Sequence, residues 1–276
     1  MKRAHGIRRL AATLALAALA TGCGPDPEEP GETLRYGNGS ELQSLDFQIV
    51  TGLPEARVLR ALFEGLVTLN PANLLPEPGV AEHWVVSDGG TTWRFHLREE
   101  ARWSNGDPVT ADDFVNAYSR ILNGRLGAPY ASQLFVIRGA EAYHAGEASF
   151  ADVGVRAIDP HTLEFRLTGP VPYFLHLLVN PPWYPIHRPS VEAAGGWDSR
   201  AGDWARPGGL VSNGPFQLAS WKLNEVLEAT RNPHYAGART PELERVLFIP
   251  IPDAYTEERA FQDGLLDVTS IVPSSR

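Results

Sequence analysis

Hydrophobic and polar positions change period several times along this chain, and each change predicts an element. Thr92, Arg94 and His96 interleave with Trp93, Phe95 and Leu97, the period of two that marks a strand with one buried face. Trp84, Val85 and Val86 precede it across Ser87-Asp88-Gly89-Gly90, whose glycines supply the positive φ of a tight reversal. A second turn cluster, Trp103-Ser104-Asn105-Gly106-Asp107-Pro108, leads into a period near 3.6. Phe114, Val115, Tyr118, Ile121 and Leu122 share one helical face there, with Thr110 as cap and Asp113 three residues on.

The flanking segments read similarly. Residues 153–158 and 162–167 predict a hairpin around Asp159-Pro160-His161, and residues 216–221 and 226–230 predict another. Residues 33–36, 67–69, 246–251 and 267–272 have the composition of short strands, with residues 37–40 a turn and 71–79 a proline-rich loop. Pro54 starts a helix with an apolar face of Val58, Leu59, Leu62, Phe63 and Leu66. Helical signals also cover 140–145, 172–179, and the stretch from Asp253 to about Leu265. Mixed strands and helices predict an α/β or α+β architecture.

The amino terminus changes the picture of where the chain works. Lys2, Arg3, Arg8 and Arg9 precede an apolar run over residues 10–20, which is too short to span a bilayer and reads as an export signal. The run ends in Leu19-Ala20-Thr21-Gly22-Cys23, and Cys23 is the chain's single cysteine. It cannot form an internal disulfide, and its setting resembles the lipid-modified first residue of a bacterial lipoprotein. Residues 1–23 are therefore expected to be a lipoprotein signal peptide and residues 24–32 (GPDPEEPGE) a flexible acidic tether. The formal net charge is −9, and loss of the four leader cations takes it to −13. That acidity, with no basic stripe, argues against nucleic acid as a partner.

Catalytic chemistry finds no foothold. There is no nucleophile elbow, zinc-helix motif, phosphate loop or cysteine pair. The histidines are scattered without ligand-like spacing. Glu99-Glu100 and Asp112-Asp113 are adjacent pairs that point apart rather than acting as an acid–base couple. No enzyme activity, cofactor or metal is expected. The seven tryptophans are read as packing rather than as sugar-stacking platforms.

The order of the motifs is specific. Ala81-Glu82-His83-Trp84, the Asp88-Gly89 turn and the stretch 92–115 (TWRFHLREEARWSNGDPVTADDFV) stand in line with Ser44-Leu45-Asp46, LFEGL at 62–66, PYAS at 129–132, His161-Thr162-Leu163, PVPYF at 170–174, NGPF at 213–216 and GLLD at 264–267. Together they resemble the extracellular solute-binding proteins, family 5, and most closely the oligopeptide-binding branch that serves peptide ABC transporters. The resemblance implies a periplasmic-binding-protein-like fold (type II, cluster C). Its lobe I would be a mixed sheet from residues 33–63 and 188–276, with an inserted α+β subdomain at 64–187. Because the sequence stops where relatives cross to a second lobe, it also implies that this lobe is missing and that the chain is half of a receptor.

By the same resemblance, Val50, Thr51, Gly52 and Leu53 would pair with the main chain of a bound oligopeptide, Tyr130 would line the cleft, and Asn213 and Ser270 (with Thr269) would approach it. Taken alone, Gly52 is a turn residue before a helix, Tyr130 serves equally well as packed core, and Asn213 is a turn former. The implied partners are an oligopeptide, the permease subunits of an ABC transporter and a membrane reached through Cys23. The implied place is the periplasm or the outer face of the cell membrane, and the implied mechanism is closure of two lobes about a hinge. Same-family receptors for dipeptides, nickel chelates, opines or oligosaccharides remain open as alternatives, as does a fragment that no longer supports transport.

Overall fold

The computed structural model describes residues 32–200, 202–237 and 239–274. The leader, Cys23 and nearly all of the acidic tether lie outside the described residues. Two four-stranded sheets organise the rest. The first sheet combines both ends of the described chain. Strand β1 (Thr33–Gly39) pairs in parallel with β10 (Arg245–Pro250), which pairs antiparallel with β9 (Val226–Arg231), and β9 with β8 (Phe216–Lys222). The second sheet is antiparallel throughout, in the order β4 (Ala81–Ser87), β5 (Thr92–Leu97), β7 (Thr162–Arg166), β6 (Val155–Asp159). A small ribbon of β2 (Val67–Leu69) and β3 (Pro76–Pro78) lies between them in sequence.

The alternation in β5 is realised: Trp93, Phe95 and Leu97 are buried while Arg94 faces solvent. These rings meet Phe165 of β7, and Phe174 of the short helix α4 (Phe174–Leu178), in edge-on contacts. Helix α2 (Ala111–Ile121) covers the same face with Phe114, Tyr118 and Ile121. Its start is fixed as the spacing predicts. Thr110 and Asp113 form a reciprocal capping box, and the buried Trp103 indole donates to the same Asp113 oxygen at 3.2 Å. Helix α1 (Leu53–Leu62) turns Val58, Leu59 and Leu62 into the core and packs against β1 and β8. The connecting helices are α3 (Ala140–Ala145) and α5 (Arg188–Ala193), and α6 (Ala254–Gln262) is capped by Asp253.

Three details differ from the sequence reading, each for a local reason. Strand β1 runs on through Gly37 to Gly39, because β10 and the segment at Val268 pair with it on either side. Pro76 and Pro78 form an edge ribbon, where a missing N–H costs nothing. Residues 267–272 make a single bridge at Val268 instead of a strand. The chain there is held by side chains: Asp267 accepts from Arg35 through both carboxylate oxygens, at 3.1 and 2.8 Å.

The connection between β1 and α1 is irregular yet deeply buried. Asp46, Phe47 and Gln48 are all inaccessible. Arg120, on α2, meets Asp46 through two nitrogens at 2.8 and 3.2 Å and Gln48 Oε1 at 2.7 Å. Its remaining donors reach the carbonyls of Gly196, Trp197 and Ser199. Phe47 inserts beside Phe63, Tyr184 and Trp204. A buried charge whose partner is removed costs about 3–5 kcal/mol. Asp46→Asn is therefore expected to lower stability by roughly that amount in urea unfolding. The double variant Asp46→Leu/Arg120→Met should recover most of the loss. A cost below about 1 kcal/mol for the single change would show that the pair does not hold the loop.

Candidate functional site

From this anchored loop the chain emerges at Val50 and runs extended into α1. Gly52 is the N-cap, with φ −75° and ψ 150°, and Pro54 occupies the first turn. A side chain at residue 52 has no room, since its Cβ would fall 1.8 Å from Glu55 Oε2. Glu55 is itself buried and accepts the amide of Gln43 at 2.9 Å. Any side chain at residue 52 would force the Glu55 carboxylate to move from its place against Gln43, while the φ of −75° itself makes no demand for glycine.

Val50, Thr51, Gly52 and Leu53 form one wall of a concave site of about 220 Å³. Tyr130 and Gln133 form another, and Asn180-Pro181-Pro182 closes the side. Tyr130 donates its hydroxyl to the carbonyl of Thr51 at 3.4 Å, so the ring is tethered to the strand-like wall. Yet Tyr130 remains 36% exposed and Leu53 72% exposed. Both leave apolar area open at the mouth of the concavity. Among the described residues, the amide N–H groups of Thr51, Gly52 and Leu53 have no hydrogen-bond partner. An extended segment with open donors can accept an added strand. Arg60 is the one charged residue in this lining.

Five of the residues singled out in the sequence, Val50 to Leu53 and Tyr130, therefore meet at one site. Asn213 and Ser270 are engaged elsewhere. Asn213 is buried, and its amide bonds both main-chain groups of Glu64, accepting from N–H at 3.2 Å and donating to C=O at 2.9 Å. Gly214 follows, so close to the end of α1 that a Cβ would lie 2.5 Å from the Leu62 carbonyl carbon. Ser270 bonds through its amide and hydroxyl to the buried Glu257 of α6. Sequence reading missed Gln133, Asn180 and Arg60 as lining residues. Gln133 has a signal in hindsight, because it lies one turn beyond Tyr130 in the 3-10 segment Ala131–Val136. Asn180-Pro181-Pro182 directly follows the stretch 172–179 read as helical and carried no sign of a lining role.

Residues 76–276 match the family model of the bacterial extracellular solute-binding proteins, family 5. The chain belongs to this family. The family is one of binding proteins rather than enzymes, and its description is of extracellular proteins. It is 39% identical over 241 residues to the periplasmic oligopeptide-binding protein OppA of Escherichia coli, covering 87% of this chain and 43% of that one. It is 35% identical over 237 residues to the murein peptide-binding protein MppA of the same organism. Among solved structures, Haemophilus influenzae OppA in complex with the peptide RPPGFSPFR superposes with a TM-score of 0.82 at 34% identity, over 90% of this chain and 47% of that one. The α/β fold is thus the periplasmic peptide-binding type expected from the sequence. The chain spans less than half the length of these relatives.

This family-5 chain also carries a strongly perturbed carboxyl just past the carboxyl end of α1. Glu64 lies in a second cavity of about 310 Å³ with Tyr184 and Tyr235, and Arg60 borders both cavities. Tyr235 donates to Glu64 Oε1 at 2.6 Å. Burial raises the Glu64 pKa to about 7, against the lowering effect of that bond and of the Arg98 charge. The folded state then keeps a proton that the unfolded chain releases above its ordinary value of 4.5. The resulting stabilisation is complete below pH 4.5 and falls as pH rises to about 7, by roughly 3 kcal/mol. The stability difference between the wild type and Glu64→Gln should follow that slope in urea titrations at pH 4.5, 6 and 7.5. A difference independent of pH would place the Glu64 pKa at its ordinary value.

Proposed function

We propose that the chain forms the ligand-strand side of an extracytoplasmic receptor that captures oligopeptides by their main chain and delivers them to an ABC importer. The observation that carries this reading is the row of unpaired amides at Thr51, Gly52 and Leu53, set in a cleft with apolar walls. Peptides of different sequence share only their main chain, and strand addition binds that shared part while shallow apolar walls tolerate varied side chains. The similarity to OppA and MppA, one solved with a bound nonapeptide, supports the same ligand class.

In this reading Thr51 to Leu53 and Tyr130 contact the ligand, while Asn213 and Ser270 hold the frame around them. Residues 33–63 and 188–276 act as one lobe that carries an insert at 64–187. Closure about a hinge would bury the peptide, and no bond is made or broken. Cys23 is the lipid anchor in this reading.

Two variants at one position of the full-length protein test the strand role. Leu53 is the first residue of α1, where proline fits and removes only an amide that the fold leaves unpaired. Leu53→Pro should weaken tripeptide to pentapeptide binding about tenfold in calorimetry, one charge-neutral hydrogen bond's worth. Leu53→Ala should weaken it less, and neither should move Tm. Equal affinities for the two variants would show that peptides do not pair at this amide.

A further inference from the structure

The outer face of the β4–β5–β7–β6 sheet carries a charge cluster that the peptide reading does not use. Glu164 on β7 stands directly opposite Arg94 on β5 and Arg156 on β6. Arg94 Nε reaches Glu164 Oε2 at 2.6 Å, and Arg156 Nη2 reaches Oε1 at 2.7 Å. Arg166, two residues along β7, adds a contact of 3.2 Å to Oε1. Three guanidinium groups thus converge on one carboxylate that they cover almost completely, while each remains about half exposed.

One carboxylate has two oxygens and cannot use the donors of three arginines, each of which presents five N–H groups. Beside the cluster lies a concavity of about 180 Å³, bordered by Arg156, Arg166, Arg138 and Glu164. Arg138 is exposed, and its guanidinium has no hydrogen-bond or ion-pair partner among the described residues. Asp152 also borders the concavity, but one of its oxygens is committed to the amide and hydroxyl of Ser149, at 3.1 and 3.0 Å. Four guanidinium groups therefore face two carboxylates, a local surplus of two positive charges on a chain whose formal net charge is −9. Burial alone would raise the Glu164 pKa, yet the bonds and charges of Arg94 and Arg156 bring it below the ordinary carboxylate range, so the carboxylate stays ionised. It splays the arginines at fixed spacing instead of silencing them.

We propose that this concavity is a binding site for a phosphate-class oxyanion, held by Arg138, Arg156 and Arg166 and organised by Glu164. Guanidinium forks match the oxygens of phosphate in pairs, and a dianion would balance the surplus charge. None of the lining residues is shared with the peptide cleft, so the two sites can be occupied and tested separately.

The test titrates the full-length protein with inorganic phosphate at constant ionic strength and follows the arginine Nε–Hε resonances. A second arm measures co-sedimentation with vesicles containing phosphatidic acid. Saturable shifts of Arg138, Arg156 and Arg166, weakened at least tenfold in Arg138→Gln and unchanged in Arg57→Gln, support a site for the free anion. Vesicle binding alone, lost in Arg138→Gln, supports the same chemistry with the phosphate on a lipid. Arg138 has no partner to lose, so Arg138→Gln should fold normally, as a thermal melt will report. Shifts that rise linearly with phosphate together with no vesicle binding, or binding of either kind that is the same in Arg138→Gln, would overturn the proposal.

Discussion

The architecture around the cleft depends on one buried ion pair, Arg120 with Asp46. Removing both charges from water costs several kcal/mol per ion, which their attraction offsets only when every remaining donor and acceptor is satisfied. That condition explains the arrangement. Arg120 spends its donors on Asp46, on Gln48 and on three carbonyls of the 196–199 segment, while Gln48 returns a bond to the Ala117 carbonyl at 2.8 Å. A loop without regular structure is thereby given the rigidity of a core element. The benefit lies four residues further on, because Val50 to Leu53 leave that loop at a fixed point and angle. An unpaired strand is useful only if it is held extended before the ligand arrives.

Helix α1 carries that rigidity across the molecule. Its amino end presents the open amides, its middle is buried through Val58, Leu59 and Leu62, and its carboxyl end is clamped by Gly214 and Asn213. The amide of Gly214 donates to the Leu62 carbonyl at 2.8 Å, satisfying one of the acceptors a helix end leaves open. The cavity holding Glu64 begins where this clamp ends, and Arg60 borders both it and the cleft. The protonation of Glu64 and the lining of the cleft are therefore joined by one residue of a single helix.

Local features were the legible ones. The alternation of Trp93, Phe95 and Leu97 and the spacing of Thr110 and Asp113 encode structure within a few residues, and both are realised as written. The same holds for Pro54 at the start of α1 and Asp253 at the start of α6. What failed to show was pairing at long separation. Nothing near Gly37 announces that β1 will be extended by residues more than two hundred positions away. Nothing near Asp267 announces that Arg35 will replace a strand ladder with a bidentate ion pair. The cleft was legible in part: the segment 50–53 and Tyr130 came from motif resemblance, whereas Gln133 and Asn180 acquire meaning only when α4's exit is folded against α1. The partners of Asn213 and Ser270, Glu64 and Glu257, were equally invisible, because a buried polar side chain takes its role from whichever main-chain or carboxylate group the fold delivers to it.

The chemistry of the cleft sets a bound on its own selectivity. A site that discriminates sharply needs buried polar groups that are left unpaired by the wrong ligand. Here the open polar groups are main-chain amides, which any peptide satisfies equally, and the one charge in the lining is Arg60. The remaining walls, Leu53, Tyr130 and Pro181-Pro182, offer apolar area that gains only about 25 cal/mol for each Å² it hides. Side chains of different size then change affinity by small amounts, while loss of main-chain pairing removes the common term. On the proposed peptide-binding reading, this wall supplies the main-chain term common to all peptides, and sharper selectivity would have to come from groups outside it.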